Sequence, residues 1–312
     1  MSARARCGVA VLVVASAHCV PTLSGSDSLI TGKRILAIKA EPAEAAPGVK
    51  VTFTALVAAP GGTVNGAPIA WDFCTAPKPI TEDNAVSNAC LGSGAPAAGS
   101  DAGPTIVSAG AGPSTAANTP ARGCTLFGPD TGSTGFRPRD PDSTGGFYQP
   151  LRAELSGAPD AFALARIKCD LPNASADAAA AFAKAYKLNQ NPTLQPLTAK
   201  VNGAAVALGA IPAGARVTLE ASWPAASAER FAFFDPSSQS VTTQREAMQV
   251  AWYSSDGSFD TESTGRASSD MATTSDDDFQ APAAAQTTHV WLVLRDSRGG
   301  VDFGSYDLVT VR

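Results

Sequence analysis

Histidine is nearly missing from this chain: there are two in 312 residues. Charged residues make up 16% and aromatics 7%, and no apolar run approaches the roughly 20 residues a membrane-spanning helix needs. No cluster of basic residues occurs, and the net charge is −5. Each shortage excludes a class of function. A chain without basic clusters has nothing to neutralise phosphates, so nucleic acid and anionic lipid are excluded as partners. A chain with His18 and His289 alone has few near-neutral proton carriers. No Gly-x-Ser-x-Gly elbow, Gly-rich phosphate loop or dinucleotide fingerprint accompanies them. No catalytic residue is therefore assigned, and a hydrolase is kept only as a remote alternative. His289 opens a strand and reads as a structural residue.

What fills the chain instead is Ala, Gly, Ser, Thr and Pro, a composition that suits short strands and loops better than helical bundles. One phrase occurs twice. Pro47-Gly48-Val49-Lys50-Val51-Thr52-Phe53-Thr54-Ala55 is echoed by Ala213-Gly214-Ala215-Arg216-Val217-Thr218-Leu219-Glu220-Ala221. Each is a turn followed by an alternating strand, and each leads to a tryptophan strand, Ile69–Phe73 and Val250–Tyr253. A repeated turn, strand and tryptophan strand is the opening of a β-sandwich module. The expected fold class is all-β: two tandem immunoglobulin-like β-sandwiches with one short helix and a long irregular insertion.

The N-terminus reads as an export signal over residues 1–17. Arg4 and Arg6 supply a positive start, Gly8 to Val14 is apolar, and Ala15-Ser16-Ala17 fits the small-x-small cleavage pattern. Its removal takes Arg4 and Arg6 with it and moves the net charge from −5 to −7. Cys19 is a candidate lipidation site, although His18 before it fits a lipoprotein signal poorly. Residues 18–33 form a tether, 34–196 a first domain with a low-complexity insertion over 91–146, and 197–312 a second domain. The expected location is exported: extracellular, periplasmic or anchored to the outer membrane.

The chain has six cysteines. Cys7 leaves with the signal. Cys74, Cys90, Cys124 and Cys169 all fall in the first domain, at spacings that fit no zinc motif. In an oxidising compartment they imply two disulfides. Cys74–Cys90 would close a short loop after the tryptophan strand, and Cys124–Cys169 would tie the insertion to the strand Phe162–Cys169. A Cys74–Cys169 bridge beside the tryptophan strand is the alternative.

One helix is expected from Ala176 to Leu188, capped by Asn173 or Ser175 and ended by Asn189 and Pro192. Phe182 and Tyr186 share a face and should dock on the sandwich. Trp71, Trp252 and Trp291 read as core residues, and Trp223 as lying near a module edge. Residues 254–288 form a second polar stretch. Within it Asp256, Asp260, Asp270, Asp276, Asp277 and Asp278 are the one cluster that could serve a hard cation, so calcium is the only cofactor the sequence admits. A solvated acidic loop is the plainer alternative.

The ending His289-Val290-Trp291-Leu292-Val293-Leu294-Arg295-Asp296-Ser297-Arg298-Gly299-Gly300 resembles the last hairpin of bacterial PKD-like and other immunoglobulin-like domains. The Pro47-Gly48 and Ala213-Gly214 openings resemble their B strands. The Ala-rich chain, with Gly146-Phe147-Tyr148-Gln149-Pro150, also looks similar to secreted proteins or lipoproteins of myxobacteria. The resemblance implies a stalk, spacer or adhesive module at the cell surface, with other cell-envelope proteins or surface glycans as partners. It brings no active residues.

Overall fold

A computed structural model describes residues 27–79, 81–83, 86–91, 105–128, 144–171 and 173–312. The signal segment, Cys7, His18, Cys19 and most of the tether lie outside the described residues.

The first half carries β1 (Arg34–Glu41), β2 (Glu44–Ala45), β3 (Lys50–Ala59), β4 (Gly62–Thr63), β5 (Ile69–Cys74), β6 (Ile106–Ala111), β7 (Ser114–Asn118), α1 (Gly123–Phe127), β8 (Gly146–Leu155) and β9 (Ala161–Lys168). One sheet joins β1, β3 and β4, with β7 also on β3; the other runs β2-β9-β8-β5-β6. After α2 (Ala176–Ala185) come β10 (Thr198–Val201), β11 (Ala204–Val206), β12 (Ile211–Pro212), β13 (Arg216–Ser222), β14 (Arg230–Asp235), β15 (Ser240–Arg245), β16 (Met248–Ser254), β17 (Ser258–Phe259), β18 (Ser263–Arg266), β19 (Thr274–Gln280), β20 (Thr287–Asp296) and β21 (Val301–Val311). The sheets here are β11-β10-β13-β19-β17 and β12-β21-β20-β16-β18, with β14 and β15 paired by themselves.

The two halves repeat one strand order. In each, a two-residue strand pairs parallel with the last strand: Glu44 and Ala45 with Arg166 and Ile167, Ile211 and Pro212 with Thr310 and Val311. In each, the tryptophan strand sits between the penultimate strand and an outer strand. This is the two-sheet arrangement of an immunoglobulin-like sandwich. The repeated glycine has a backbone reason. Gly48 and Gly214 stand at φ of 82° and 71°, where a Cβ is strained, so the turn feeding the second strand needs glycine both times.

Two polar stretches are more regular than their composition suggests. Residues 91–146 were expected to be irregular, yet they contain β6, β7 and α1. Small residues suffice there because backbone pairing holds them: β6 lies on β5 and β7 on β3, so this hairpin steps from one sheet to the other. Residues 254–288 hold β17, β18 and β19. The run Thr274-Ser275-Asp276-Asp277-Asp278-Phe279-Gln280 is a strand that sends Ser275, Asp277 and Phe279 inward. Its buried polar atoms are satisfied: Asp277 accepts the amides of Thr261 at 3.2 Å and Asp278 at 2.9 Å, and Ser275 donates to Thr264 at 2.8 Å.

Each sandwich has its own core, around Phe53, Ile69, Trp71, Phe73 and Leu151 in the first and Val217, Leu219, Trp252, Phe279 and Leu292 in the second. Trp223 belongs to the second core and is 1% exposed, not at a module edge. Trp291 belongs to neither. It joins Ile30, Leu36, Leu56, Ala58, Val293 and Val301 in a third apolar cluster that lies between the sandwiches. The unbroken run Val290–Leu294 follows from this. Val290, Leu292 and Leu294 face the second core, while Trp291 and Val293 face the junction, so the strand is buried on both faces and does not alternate.

The helix ends at Ala185, and Tyr186 already has extended backbone. Ser175 caps it by accepting the amide of Ala178. Ala178 and Phe182 meet more than the first sandwich, where Phe182 and Tyr186 lie against Gly145. Ala178 and Phe182 pack with Ala232 and Phe234 of the β14–β15 hairpin. Cys74 is bonded to Cys90 and Cys124 to Cys169, each with Cα atoms 5.6 Å apart.

Candidate functional site at the junction of the two sandwiches

A chain of charged residues runs through the junction, almost all of it sealed from solvent. On the first sandwich, Glu44 and Arg166 pair at 3.2 Å between side chains 0% and 1% exposed. The parallel pairing of β2 with β9 places Glu44 directly beside Arg166. Arg166 also donates to the carbonyl and hydroxyl of Thr144 and packs over the Tyr148 ring. On the second sandwich, the turn between β20 and β21 delivers Arg298. Its Nε donates to Glu246 at 2.6 Å, its Nη2 to Glu229 at 3.0 Å and its Nη1 to the Lys187 carbonyl at 3.1 Å. Its guanidinium lies over Phe231, 4.8 Å from the ring centre.

Asn189, in the segment that joins the two halves, ties the pairs together. Its backbone amide donates to Glu44 at 2.8 Å, and its side-chain nitrogen reaches both oxygens of Asp296 at 3.3 Å. Asp296 accepts the amides of Arg298 and Gly300, both at 2.8 Å. Tyr186 donates to Glu44. Two residues on, Asn191 donates to Ala40 and accepts the amide of Val301. Lys39 of the first sandwich pairs with Asp302 of the second at 3.0 Å, and Trp291 donates to Thr63 at 2.8 Å. Connecting segment and both sandwiches are thereby held by polar bonds around one apolar cluster.

Crowded carboxylates set the electrostatics. Burial, then Asp296, push Glu246 up to about 7, against the opposing pull of Arg298. Burial also raises Asp296, and burial and Glu44 raise the Tyr186 phenol, which stays a donor. Both oxygens of Glu246 are taken, one by Arg298 and one by the Glu229 amide, and its side chain is 0% exposed. Its carboxylate is thus bonded at both oxygens within the fold. A carboxylate whose folded value lies above its unfolded 4.5 binds its proton more tightly in the fold. Its stabilising contribution is complete below about pH 4.5 and is lost as pH rises through about 7. Urea unfolding should therefore show stability falling between about pH 5 and 7.5, and Glu246→Gln should flatten that slope. An unchanged slope in the variant would remove Glu246 as its source.

The aspartates split up. Asp260 and Asp278 flank Arg216, which pairs with both, and Thr218 donates to Asp278 at 2.7 Å. Asp277 points into the sandwich. Asp256 is bonded to Gly257 and Gln286, and Asp270 to Ala272 and Arg266. Asp276 lies on the exposed face of β19. Among the described residues no three acidic, histidine or cysteine side chains form a group that could hold a metal. A rise in melting temperature with millimolar calcium would show a cation site at positions other than this group of aspartates. His289 pairs with Asp307 across the hairpin at 2.7 Å and lies against Gly62 of the first sandwich. Ser255 bonds only the His289 backbone, so no serine stands on the imidazole among the described contacts.

Beside the network lies a cleft of about 440 Å³, lined by β1 and β9 and by Arg295, Asp296 and Ser297. Sequence reasoning did not find Glu44, Arg166, Asn189, Glu246 or Arg298. The one visible signal is Arg166 between Ala165 and Ile167 in β9, a position where an unpaired buried charge is not tolerated.

No protein-family model matches the chain, and no curated protein sequence matches it. Solved structures that it resembles include the D00-D0 domain of intimin, at 11% identity over 90% of this chain and 99% of that one, with a TM-score of 0.25. The Yersinia pseudotuberculosis adhesin InvE gives 9% identity over 90% of this chain and 59% of that one, TM-score 0.23. Clostridium thermocellum CbhA fibronectin(III)-like modules give 7% over 91% and 92%, TM-score 0.21. Likenesses of this size carry no weight for function, and the fold rests on the strand order itself.

Proposed function

We propose that the chain is an exported, non-catalytic module of the cell envelope, a rigid two-sandwich spacer or adhesive unit. The observation that carries this is the junction. Two sandwiches of one strand order share an apolar cluster, and Asn189 of the connecting segment bonds Glu44 of the first and Asp296 of the second, beside the Lys39–Asp302 pair that crosses between them, whereas a plain linker would leave them free to move. Fixed orientation is what a stalk needs to project a surface at a set distance. Two disulfides suit an oxidising compartment, and the acidic, base-poor composition suits protein or glycan partners better than nucleic acid. The alternative of a binding module with a defined site is favoured by the cleft beside the junction.

The test is small-angle scattering of the mature protein, run beside a glycan and protein binding screen and a hydrolase screen. The expected result is a single rigid shape that loosens in Arg298→Ala, with no turnover. A flexible pair of modules in the unmutated protein would sink the spacer role. Turnover abolished by His289→Ala without loss of fold would make the protein an enzyme.

A further inference from the structure

The two sandwiches differ between their first strand and the short parallel strand, and the repeat makes the difference legible. In the second, nine residues, 202–210, separate β10 from β12, and in the first only two, 42–43, separate β1 from β2. Residues 202–210 are a cover. They include β11 and a short helical turn, Leu208–Ala210, that packs on the last strand β21. Val206 and Leu208 rest on the core. The first sandwich has no such cover. Its last strand β9 is paired with β8 along its whole length but with β2 only at Arg166 and Ile167. On the side away from β8, Ala161–Ala165 pair with no strand among the described residues.

Opposite that edge runs β1, itself paired on one side only, with β3. The cleft of about 440 Å³ separates the two free edges. Its walls are apolar, with Ile35 and Ile38 on one side and Phe162 and Leu164 on the other, and Leu164 is 47% exposed. Exposed edges are normally blunted by lysine, proline or a cover. The stretch Ala161-Phe162-Ala163-Leu164-Ala165 carries none of these. Arg295 also lines the cleft, and its side chain bonds the Leu36 carbonyl at 3.4 Å. It forms no ion pair among the described residues.

We propose that this cleft is a strand-acceptor site, which takes an extended segment of a partner protein that is apolar at alternate positions and bears a carboxylate for Arg295. The main-chain groups of β9 supply the pairing, as in strand addition to an open sheet edge. The apolar walls take alternate side chains. Arg295 sets the end of the register by charge complementarity. The second sandwich sets an apolar piece of its own, the helical turn Leu208–Ala210, against the equivalent strand β21. A plain spacer needs no acceptor, so loss of this site would leave the spacer role standing.

The test uses the full disulfide-bonded protein and a random heptapeptide library displayed on phage, followed by hydrogen exchange with the selected peptide. Enrichment of alternating apolar sequences carrying one Asp or Glu is expected, with slowed exchange confined to Ala161–Ala165 and the β1 edge. Leu164→Asp, at an exposed position, should abolish binding. Arg295→Ala should weaken it about tenfold, the value of one charge-assisted hydrogen bond, and Arg295→Lys should restore most of it; melting temperatures check that each variant is folded. No enrichment, protection elsewhere, or binding indifferent to Leu164→Asp would overturn the proposal. Slowed exchange at the same amides without peptide, rising with protein concentration, would make the occupant a second copy of this chain and overturn it too.

Discussion

Arg298→Ala is expected to lower the unfolding free energy by about 3–5 kcal/mol, the range for breaking a buried pair by removing one partner. The guanidinium is the only cation bonded to Glu246 and Glu229 among the described contacts, and Asp296 lies next to them. Without it a sealed carboxylate is left facing its neighbours in low dielectric. Arg298→Lys should rescue little, because one ammonium cannot bond Glu246, Glu229 and the Lys187 carbonyl from one planar fork. The double change Arg298→Met with Glu246→Leu should recover part of the loss, since it removes the sealed charge of Glu246 and leaves only Glu229, 18% exposed and open to water, without its cation. Urea midpoints at fixed pH read all three. A loss below about 1 kcal/mol in the single variant would mean that water reaches the site and that the junction is not dry. The connecting segment should respond as well: the amides of Asn189 and Gln190, which donate to Glu44 and Glu229, should exchange faster.

Opening both disulfides should have a large effect as well. The bridges span 16 and 45 residues, and loop closure in the unfolded chain assigns them about 3 and about 4 kcal/mol. Cys74–Cys90 anchors the end of β5 in the first core, and Cys124–Cys169 fastens α1 to the residue that follows β9. The second sandwich has no cysteine, yet it should not be indifferent. Trp291, Val293 and Val301 are covered by Leu36, Leu56 and Ala58 of the first. Loss of the first sandwich uncovers them. Calorimetry before and after reduction should show the first transition moving down and the second following by a smaller step. If the second transition stays fixed, the junction does not couple the two units. Alkylation of any of these four cysteines in denatured, unreduced protein would remove the bridges from the account.

Strand content, the doubled module and the tryptophan strands follow from residues close together in sequence. Period-two alternation in Val49–Val57 and Val217–Trp223, with a glycine before each, is enough to specify a strand and its turn. Local chemistry also reaches the helix cap at Ser175. It fails where long-range pairing takes over. Thr274–Gln280 looks like a solvated acidic loop until β13 lies alongside it, and Asp277 is then turned inward by register alone. Ser114–Asn118 has no fully buried residue, only Ala117 against the first core, and becomes a strand because β3 offers it backbone partners. Phe182 and Tyr186 do share a face, but only the tertiary arrangement decides that Phe182 meets the β14–β15 hairpin and that Tyr186 reaches Glu44. The junction is the clearest case. Glu44, Arg166, Asn189, Glu246 and Arg298 are spread over 255 residues of numbering, from position 44 to position 298. A charge in a sequence carries no mark of its distant partner, and whether it sits in water or in a sealed pair is fixed only when both sandwiches have closed around it.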